Sequence, residues 1–237
     1  MTLSRRTALL IAAAAATMPR FTFAAGAPLK IATVGTGNVG SNLGKVWAMN
    51  GHPVMFSSRN PDGLKDEVAA AGPNARAGTV AEAIAFADVV LMAVPYSALP
   101  AVAMEHAKGL AAKQLLLDAS NPIVPRDGAV GEEAQKAGAG LFALKLIPGA
   151  KIVRAFNAVG AARMSQGGKD ASGKPIGMPI AGDDENALKI AEMLIRETGF
   201  EPVRVGNLDF GKHLRPGTPM AGERSPDEVR KVAATLK

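Results

Sequence analysis

The chain has 237 residues, with 27 lysines and arginines against 21 aspartates and glutamates, and no cysteine. Disulfides, thiol catalysis and a lipoprotein anchor are thereby excluded. With aromatic residues at only 4% and no clustered basic run, the composition does not support nucleic-acid binding.

Residues 1–25 read as a targeting segment. Ser4-Arg5-Arg6-Thr7-Ala8-Leu9-Leu10 is a twin-arginine pattern, an apolar stretch follows over 8–18, and the small residues Thr22, Ala24 and Ala25 suit cleavage. An apolar stretch of that length falls short of the ~20 residues that cross a bilayer, so no stable membrane anchor is expected. The expectation is export by the twin-arginine machinery to the periplasm, as a folded protein with its cofactor loaded. Loss of Arg5, Arg6 and Arg20 with this segment lowers the formal charge from +6 to +3.

Residues 30–61 then carry the strongest local signal. The apolar run 31–34 predicts a buried strand, and Gly35-Thr36-Gly37-Asn38-Val39-Gly40 follows as GxGxxG. Val39, Leu43, Val46 and Trp47 recur at helical spacing until Gly51, and 54–56 begins a second strand. Strand, glycine turn, helix and strand make the βαβ unit of a dinucleotide site. The first glycine permits the tight turn, the second lets backbone approach a pyrophosphate, and the third lets the helix pack on the strand. At the end of the second strand an NAD site places Asp or Glu for the ribose hydroxyl. This chain has Ser58 and Arg59 there, a hydroxyl and a guanidinium that suit a 2′-phosphate, so NADP(H) is the expected cofactor. Lys65 is a further candidate for the same phosphate.

The α/β alternation continues. The pattern predicts a helix over 66–71, a short strand over 75–77, and a helix opened by the capping box Thr79/Glu82. A strand over 88–94 is apolar on both faces, as a parallel sheet requires. A helix over 99–108 and a strand over 114–118 lead to Asn121, which can orient a nicotinamide amide or ribose hydroxyl, or serve as a turn residue before Pro122. Residues 125–140 read as a loop with a helical piece. A helix over 140–147 and a strand over 151–156 complete six strands of a doubly wound, mostly parallel α/β sheet, the Rossmann layout. Beyond it, 178–182 and 202–205 read as strands around a helix over 184–198. A last helix starts at the capping box Ser225/Glu228 with Pro226 between. The division expected is a leader over 1–25, a Rossmann domain over 26–160 and a small C-terminal α/β portion over 161–237.

GTGNVG, SSRNP, DVVLMAVP, LLDASNP, KIVRAFN and IAGDD, in this order and spacing, resemble the NADP oxidoreductases that use 8-hydroxy-5-deazaflavin. The resemblance covers roughly 29–208. It implies a Rossmann domain holding NADP(H) and hydride exchange with a deazaflavin or flavin co-substrate; similar domains in membrane metalloreductases pass electrons to flavin. Carried over by motif, it implies that Thr36, Asn38 and Val39 contact the pyrophosphate and that Ala93, Val94 and Pro95 pass near adenosine and ribose. Asn157, Ala158 and Val159 would lie near the nicotinamide. No catalytic acid–base side chain and no metal ligand set is assigned, since such proteins mainly orient two cofactors.

The likeness weakens over 209–217, where His213, between Lys212 and Arg215, is a candidate for binding an anionic substrate. His52 and His106 read as structural or solvated. The expected activity is NADP(H)-dependent hydride transfer to a flavin-like or small organic acceptor. The alternative is a non-catalytic NADP(H)-binding or scaffold protein. The oligomeric state is left open, a homodimer among the options.

Overall fold

The computed structural model describes residues 28–236, so the targeting segment lies outside the described residues. Eight strands form one sheet: β1 (Ile31–Val34), β2 (Val54–Ser57), β3 (Ala75–Gly78), β4 (Val89–Met92), β5 (Leu115–Asp118), β6 (Ile152–Arg154), β7 (Gly177–Gly182) and β8 (Glu201–Gly206). Their order is β3-β2-β1-β4-β5-β6-β7-β8. The first six are parallel; β7 runs antiparallel to β6, and β8 pairs parallel with β7. This is the doubly wound α/β sheet expected. Residues after 160 do more than pack on it, because β7 and β8 extend its edge.

Among the described residues eight α-helices flank the sheet: α1 (Asn38–Met49), α2 (Lys65–Ala71), α3 (Val80–Phe86), α4 (Leu99–Ala111), α5 (Val124–Ala137), α6 (Ala139–Leu146), α7 (Glu185–Glu197) and α8 (Pro226–Thr235). Strand alternation sorts them into two layers. Ile31, Val54, Phe56, Leu91, Leu117, Val153 and Ile180 point to one face, where Leu43 and Trp47 of α1 and Leu188, Ala191 and Leu194 of α7 cover them. Ala32, Val34, Val90, Met92 and Leu116 point to the other, under Ile84 of α3, Leu99 and Ala103 of α4 and Phe142 of α6. Val229 of α8 packs with Ala181, Val203 and Leu214. Both capping boxes form: Thr79 Oγ1 accepts from the Glu82 N–H at 3.2 Å, and Ser225 Oγ from the Glu228 N–H at 3.4 Å.

Two expectations need correction. Residues 125–140 are helical, as α5 and α6, with a break at Gly128 (φ 54°, ψ −138°) that only glycine adopts without strain. Over 209–217, where no regular element is expected, the chain begins with a short 3₁₀ turn (Leu208–His213) capped by Asn207, whose Oδ1 accepts from the Phe210 N–H at 3.1 Å.

At the amino edge of β1 and β2 the first layer is tied by polar bonds. Trp47 Nε1 donates to the Leu194 carbonyl at 2.9 Å, joining α1 to α7. His52 is buried, with Nε2 3.1 Å from Glu197 Oε1 and Nδ1 3.2 Å from the Leu29 carbonyl oxygen, so that the protonated ring can donate from both nitrogens. The hydrogen bond to Glu197 raises its pKa above the ordinary 6.5, against an opposing effect of burial. A folded-state value above the unfolded one means that the charged pair stabilises fully below about pH 6.5 and that this stabilisation fades as pH rises through the raised value. Thermal unfolding of Glu197→Gln and of the parent should therefore differ by roughly 2–4 °C, about 1 kcal/mol, near pH 5.5 and by less near pH 8.5. An equal difference at both values would show that His52 is not the titrating partner.

Candidate functional site

The carboxyl ends of β1, β2, β4, β5 and β6 all face one edge of the sheet, where ligands of open α/β sheets bind. The fingerprint lies there, between β1 and α1, and its three glycines have three different surroundings. Gly35 has φ +99°, and a Cβ on it would stand 2.4 Å from the Ala93 carbonyl oxygen. A Cβ on Gly40 would lie 1.9 Å from the Gly35 carbonyl oxygen, so this glycine is what lets α1 start against the turn. Gly37 is exposed, has φ −76°, and a Cβ there would meet nothing within 4 Å. Its missing side chain therefore serves no contact inside the protein and leaves the backbone open to a ligand. No side chain caps the N-terminus of α1, so its first amides and the positive end of its dipole are available to an anion. Ser41 Oγ donates to the Thr36 carbonyl at 2.8 Å and steadies the turn. Open backbone at the middle glycine beside an uncapped helix start fits a pyrophosphate.

Ser58 and Arg59 follow β2. Arg59 is exposed, and Ser58 Oγ accepts from the Asn60 N–H at 3.1 Å. Among residues 57–60 there is no carboxylate. Lys65 opens α2 and is exposed. Ala93, Val94 and Pro95 leave β4; the Ala93 N–H donates to the Val34 carbonyl at 2.8 Å, which sets this turn beside the fingerprint. Tyr96 after it is fully buried, with its hydroxyl on the Ala139 carbonyl, and this anchors the β4 exit to α6.

The exits of β5 and β6 are bonded to each other. Asp118 and Arg154, the paired last residues of their strands, are both buried and joined at 2.5 Å. Burial raises the Asp118 carboxyl, while Arg154 and the Ser120 N–H oppose that shift. Arg154 also donates to the carbonyls of Ser120 and Leu214, each at 3.2 Å. Asn121 does not stand free as a turn residue: its Nδ2 donates to the Asn157 carbonyl at 2.9 Å and its Oδ1 accepts from Arg154 at 3.4 Å. Asn157 Nδ2 donates to the Ser120 carbonyl at 3.1 Å, whereas its Oδ1 is buried without a partner. Phe156 before it holds φ 66°, unusual for a residue with a side chain, and the chain thereby turns sharply as it leaves β6. Asn157, Ala158 and Val159 follow this turn and are buried. The structure thus sets all fifteen candidate positions at this edge, with the adenosine-side candidates around β1, β2 and β4 and the nicotinamide-side candidates around β5 and β6.

His213 is different. It ends the 3₁₀ turn after β8, a strand that runs opposite to β6, and its ring lies 5.0 Å from that of Phe210. Burial and the neighbouring Lys212 push its pKa below the usual histidine range, and its Nε2 is buried without a partner. Lys212 is paired with Asp209 at 2.8 Å. With the imidazole pKa lowered and Lys212 paired, Arg215 is the cation of this turn that makes no ion pair among the described residues, its Nη1 donating to the Pro216 carbonyl at 3.5 Å. Sequence reading also missed Arg126 and Asp127, whose side chains reach the exits of β4 and β5; both fell in the stretch taken for loop.

Residues 30–122 match the family model described as NADP oxidoreductase, coenzyme F420-dependent. That stretch runs from the start of β1 through the β5 exit and is less than half of the chain; the likeness supports NADP(H) binding by it. A hypothetical protein, SMa0349 from Sinorhizobium meliloti, superposes with a TM-score of 0.67 at 26% identity, over 86% of this chain and 97% of that one. A protein from Arthrobacter sp. FB24, assigned as an F420-dependent NADP reductase, gives a TM-score of 0.63 at 24% identity, over 78% and 87%. A pyrroline-5-carboxylate reductase from Coxiella burnetii gives 0.54 at 18%, over 74% of this chain and 58% of its own. The last two likenesses show the fold.

The contrast among the glycines gives a direct test. Gly37→Val should still fold, with a melting temperature within about 4 °C of the parent, since a Cβ there meets no protein atom within 4 Å and φ −76° suits any residue. It should nevertheless weaken dinucleotide binding by about a hundredfold or more in calorimetric titration. Unchanged binding would remove the fingerprint from the site.

Proposed function

We propose that the protein is an NADP(H)-dependent oxidoreductase in which a hydride passes between nicotinamide and a flavin, deazaflavin or small organic acceptor. The observation that carries this reading is a dinucleotide fingerprint with open backbone at Gly37, followed at the end of β2 by Ser58 and Arg59 in place of a carboxylate. Bound NADP(H) would supply the redox chemistry; the chain's residues bind and orient. Gly35–Gly40 and the start of α1 would hold the pyrophosphate, and Ser58 with Arg59 the 2′-phosphate. Ala93, Val94 and Pro95 would line the ribose side, and Asn121, Asn157, Ala158 and Val159 the nicotinamide side. Hydride transfer needs two rings held face to face rather than a protein acid or base, and the cross-braced β5 and β6 exits suit that task. The family likeness of residues 30–122 supports the donor, and the acceptor belongs to this proposal.

A binding protein without turnover is the second reading. It is favoured by the charged groups nearest the β5 and β6 exits, Asp118 with Arg154 and Arg126 with Asp127, being committed to each other. Purified protein mixed with NADPH and, in turn, a deazaflavin, FMN and a quinone separates the two: oxidation of the nicotinamide with one of them is expected, and none with any would favour the second. Arg59→Asp should raise the Kd for NADPH by about tenfold or more and that for NADH by about twofold at most, because only the former carries the phosphate. Equal losses would remove the phosphate assignment.

Export by the twin-arginine route belongs to the same proposal and rests on Ser4–Leu10 and the apolar run behind it. Replacing Arg5 and Arg6 by lysine in a reporter fusion should retain the reporter in the cytoplasm; continued export would refute the route.

A further inference from the structure

Asp127 lies on the first turn of α5, and its side chain is 0% exposed. Each carboxylate oxygen accepts two hydrogen bonds. Oδ1 receives the Ser97 N–H at 3.1 Å and Arg126 Nε at 3.0 Å. Oδ2 receives the Ile123 N–H and Arg126 Nη2, both at 2.8 Å. Ser97 belongs to the exit of β4 and Ile123 to that of β5. Arg126 Nη2 donates onward to the Asn121 carbonyl at 2.8 Å, and Asn121 Nδ2 to the Asn157 carbonyl at 2.9 Å in the exit of β6. One buried carboxylate and one guanidinium thus stand at the head of a bonded chain through three consecutive exit loops. Burial works against ionisation of this acid, but the bonds from Arg126 and from the Ile123 and Ser97 amides outweigh it and hold the carboxyl at about 2. It is therefore charged throughout the physiological range.

The placement is specific. Gly128, at φ 54°, breaks α5 immediately after Asp127, so the turn bearing Arg126 and Asp127 is set apart from the rest of the helix. Bond stability alone would not require an ion here, since a well-packed apolar residue often serves a buried site as well. What a carboxylate provides and an apolar group cannot is four directional acceptor positions, which fix the distances between separate loops. The exits of β1 and β2, with Gly35–Gly40, Ser58 and Arg59, send no hydrogen bond to it.

We propose that Asp127 is a positioning residue for the nicotinamide end of the site: anchored on Ser97 after β4, it acts through Arg126 and Asn121 to set the spacing of the β5 and β6 exits, while the 2′-phosphate end, built on the exits of β1 and β2, does not depend on it. The proposal rests on reading this edge as a dinucleotide site.

The test uses the whole protein and two probes. Adenosine 2′,5′-bisphosphate reports the adenosine end alone, and NADPH spans both ends. Asp127→Asn keeps the size but turns two acceptor positions into a donor amine facing N–H groups. By calorimetry it should leave the Kd for the bisphosphate within about twofold and raise that for NADPH about tenfold or more. Arg126→Gln alters a side chain that is 43% exposed and should fold even where Asp127→Asn does not. It should show the same split at about threefold or more for NADPH. Parallel weakening of both probes, or no change in either, would overturn the positioning role while leaving the dinucleotide site intact. A parent protein that binds neither probe would overturn the dinucleotide reading, and this proposal with it.

Discussion

The ion pair between Asp118 and Arg154 is the contact on which the exits of β5 and β6 and the C-terminal segment converge. The two residues are register partners at the ends of β5 and β6, both buried, with a 2.5 Å bond between them. Removing water from two charges is costly, and the cost is offset only where the remaining donors and acceptors are also satisfied. Here Ser120 contributes both an N–H to Asp118 and a carbonyl to Arg154, and Leu214 contributes a second carbonyl, which leaves Arg154 Nε as the one buried donor of the pair without a partner among the described residues. The pair consequently fixes more than strand register. It sets the path of the β5 exit and draws the C-terminal segment onto the sheet. Gly211 belongs to the same arrangement: a Cβ on it would stand 2.6 Å from Arg154 Cδ, so the arginine stem occupies the space that a side chain would need.

Asn121 sits between two such ionic anchors. Arg154 reaches its side-chain oxygen and Arg126 its carbonyl, while its own amide holds the Asn157 backbone. A loop held from both sides has few alternative conformations, which suits a site that aligns two reacting rings instead of moving protons. The cost of such preorganisation appears nearby as the positive φ of Phe156, whose ring is braced edge-on against Phe200 at 6.1 Å.

The C-terminal segment gives this edge its particular form. After the turn over Leu208–His213 the chain passes Arg154, and the Gly222 N–H then donates to the Ala158 carbonyl at 2.8 Å. The Gly177 N–H, at the start of β7, donates to the Arg224 carbonyl at 2.8 Å. A segment that looks like an appended tail in sequence is therefore bonded to the exit of β6.

What the sequence determined by itself is what short-range chemistry encodes. Apolar runs flanked by turns locate β1, β2, β4 and β5, and GxGxxG forces a strand–turn–helix because only glycine tolerates the φ of Gly35 and the contact at Gly40. Thr79/Glu82 and Ser225/Glu228 mark their helix starts, since a capping box needs no tertiary partner. The absence of an acid after β2 is equally local. Tertiary structure alone decided what depends on residues far apart in the chain. The strand pattern over 151–156 does not say what Arg154 pairs with; Asp118, 36 residues away, meets it only because β5 and β6 lie side by side. Arg126 and Asp127 were hidden because Gly128 breaks the helical period that would have revealed α5. The neighbours Lys212 and Arg215 made His213 a candidate for an anion, whereas its burial and the pairing of Lys212 with Asp209 are consequences of packing. Local periodicity specifies which elements form. Which charges meet, and so which loops are held still, is set by long-range pairing across the sheet, and no period in the sequence records that.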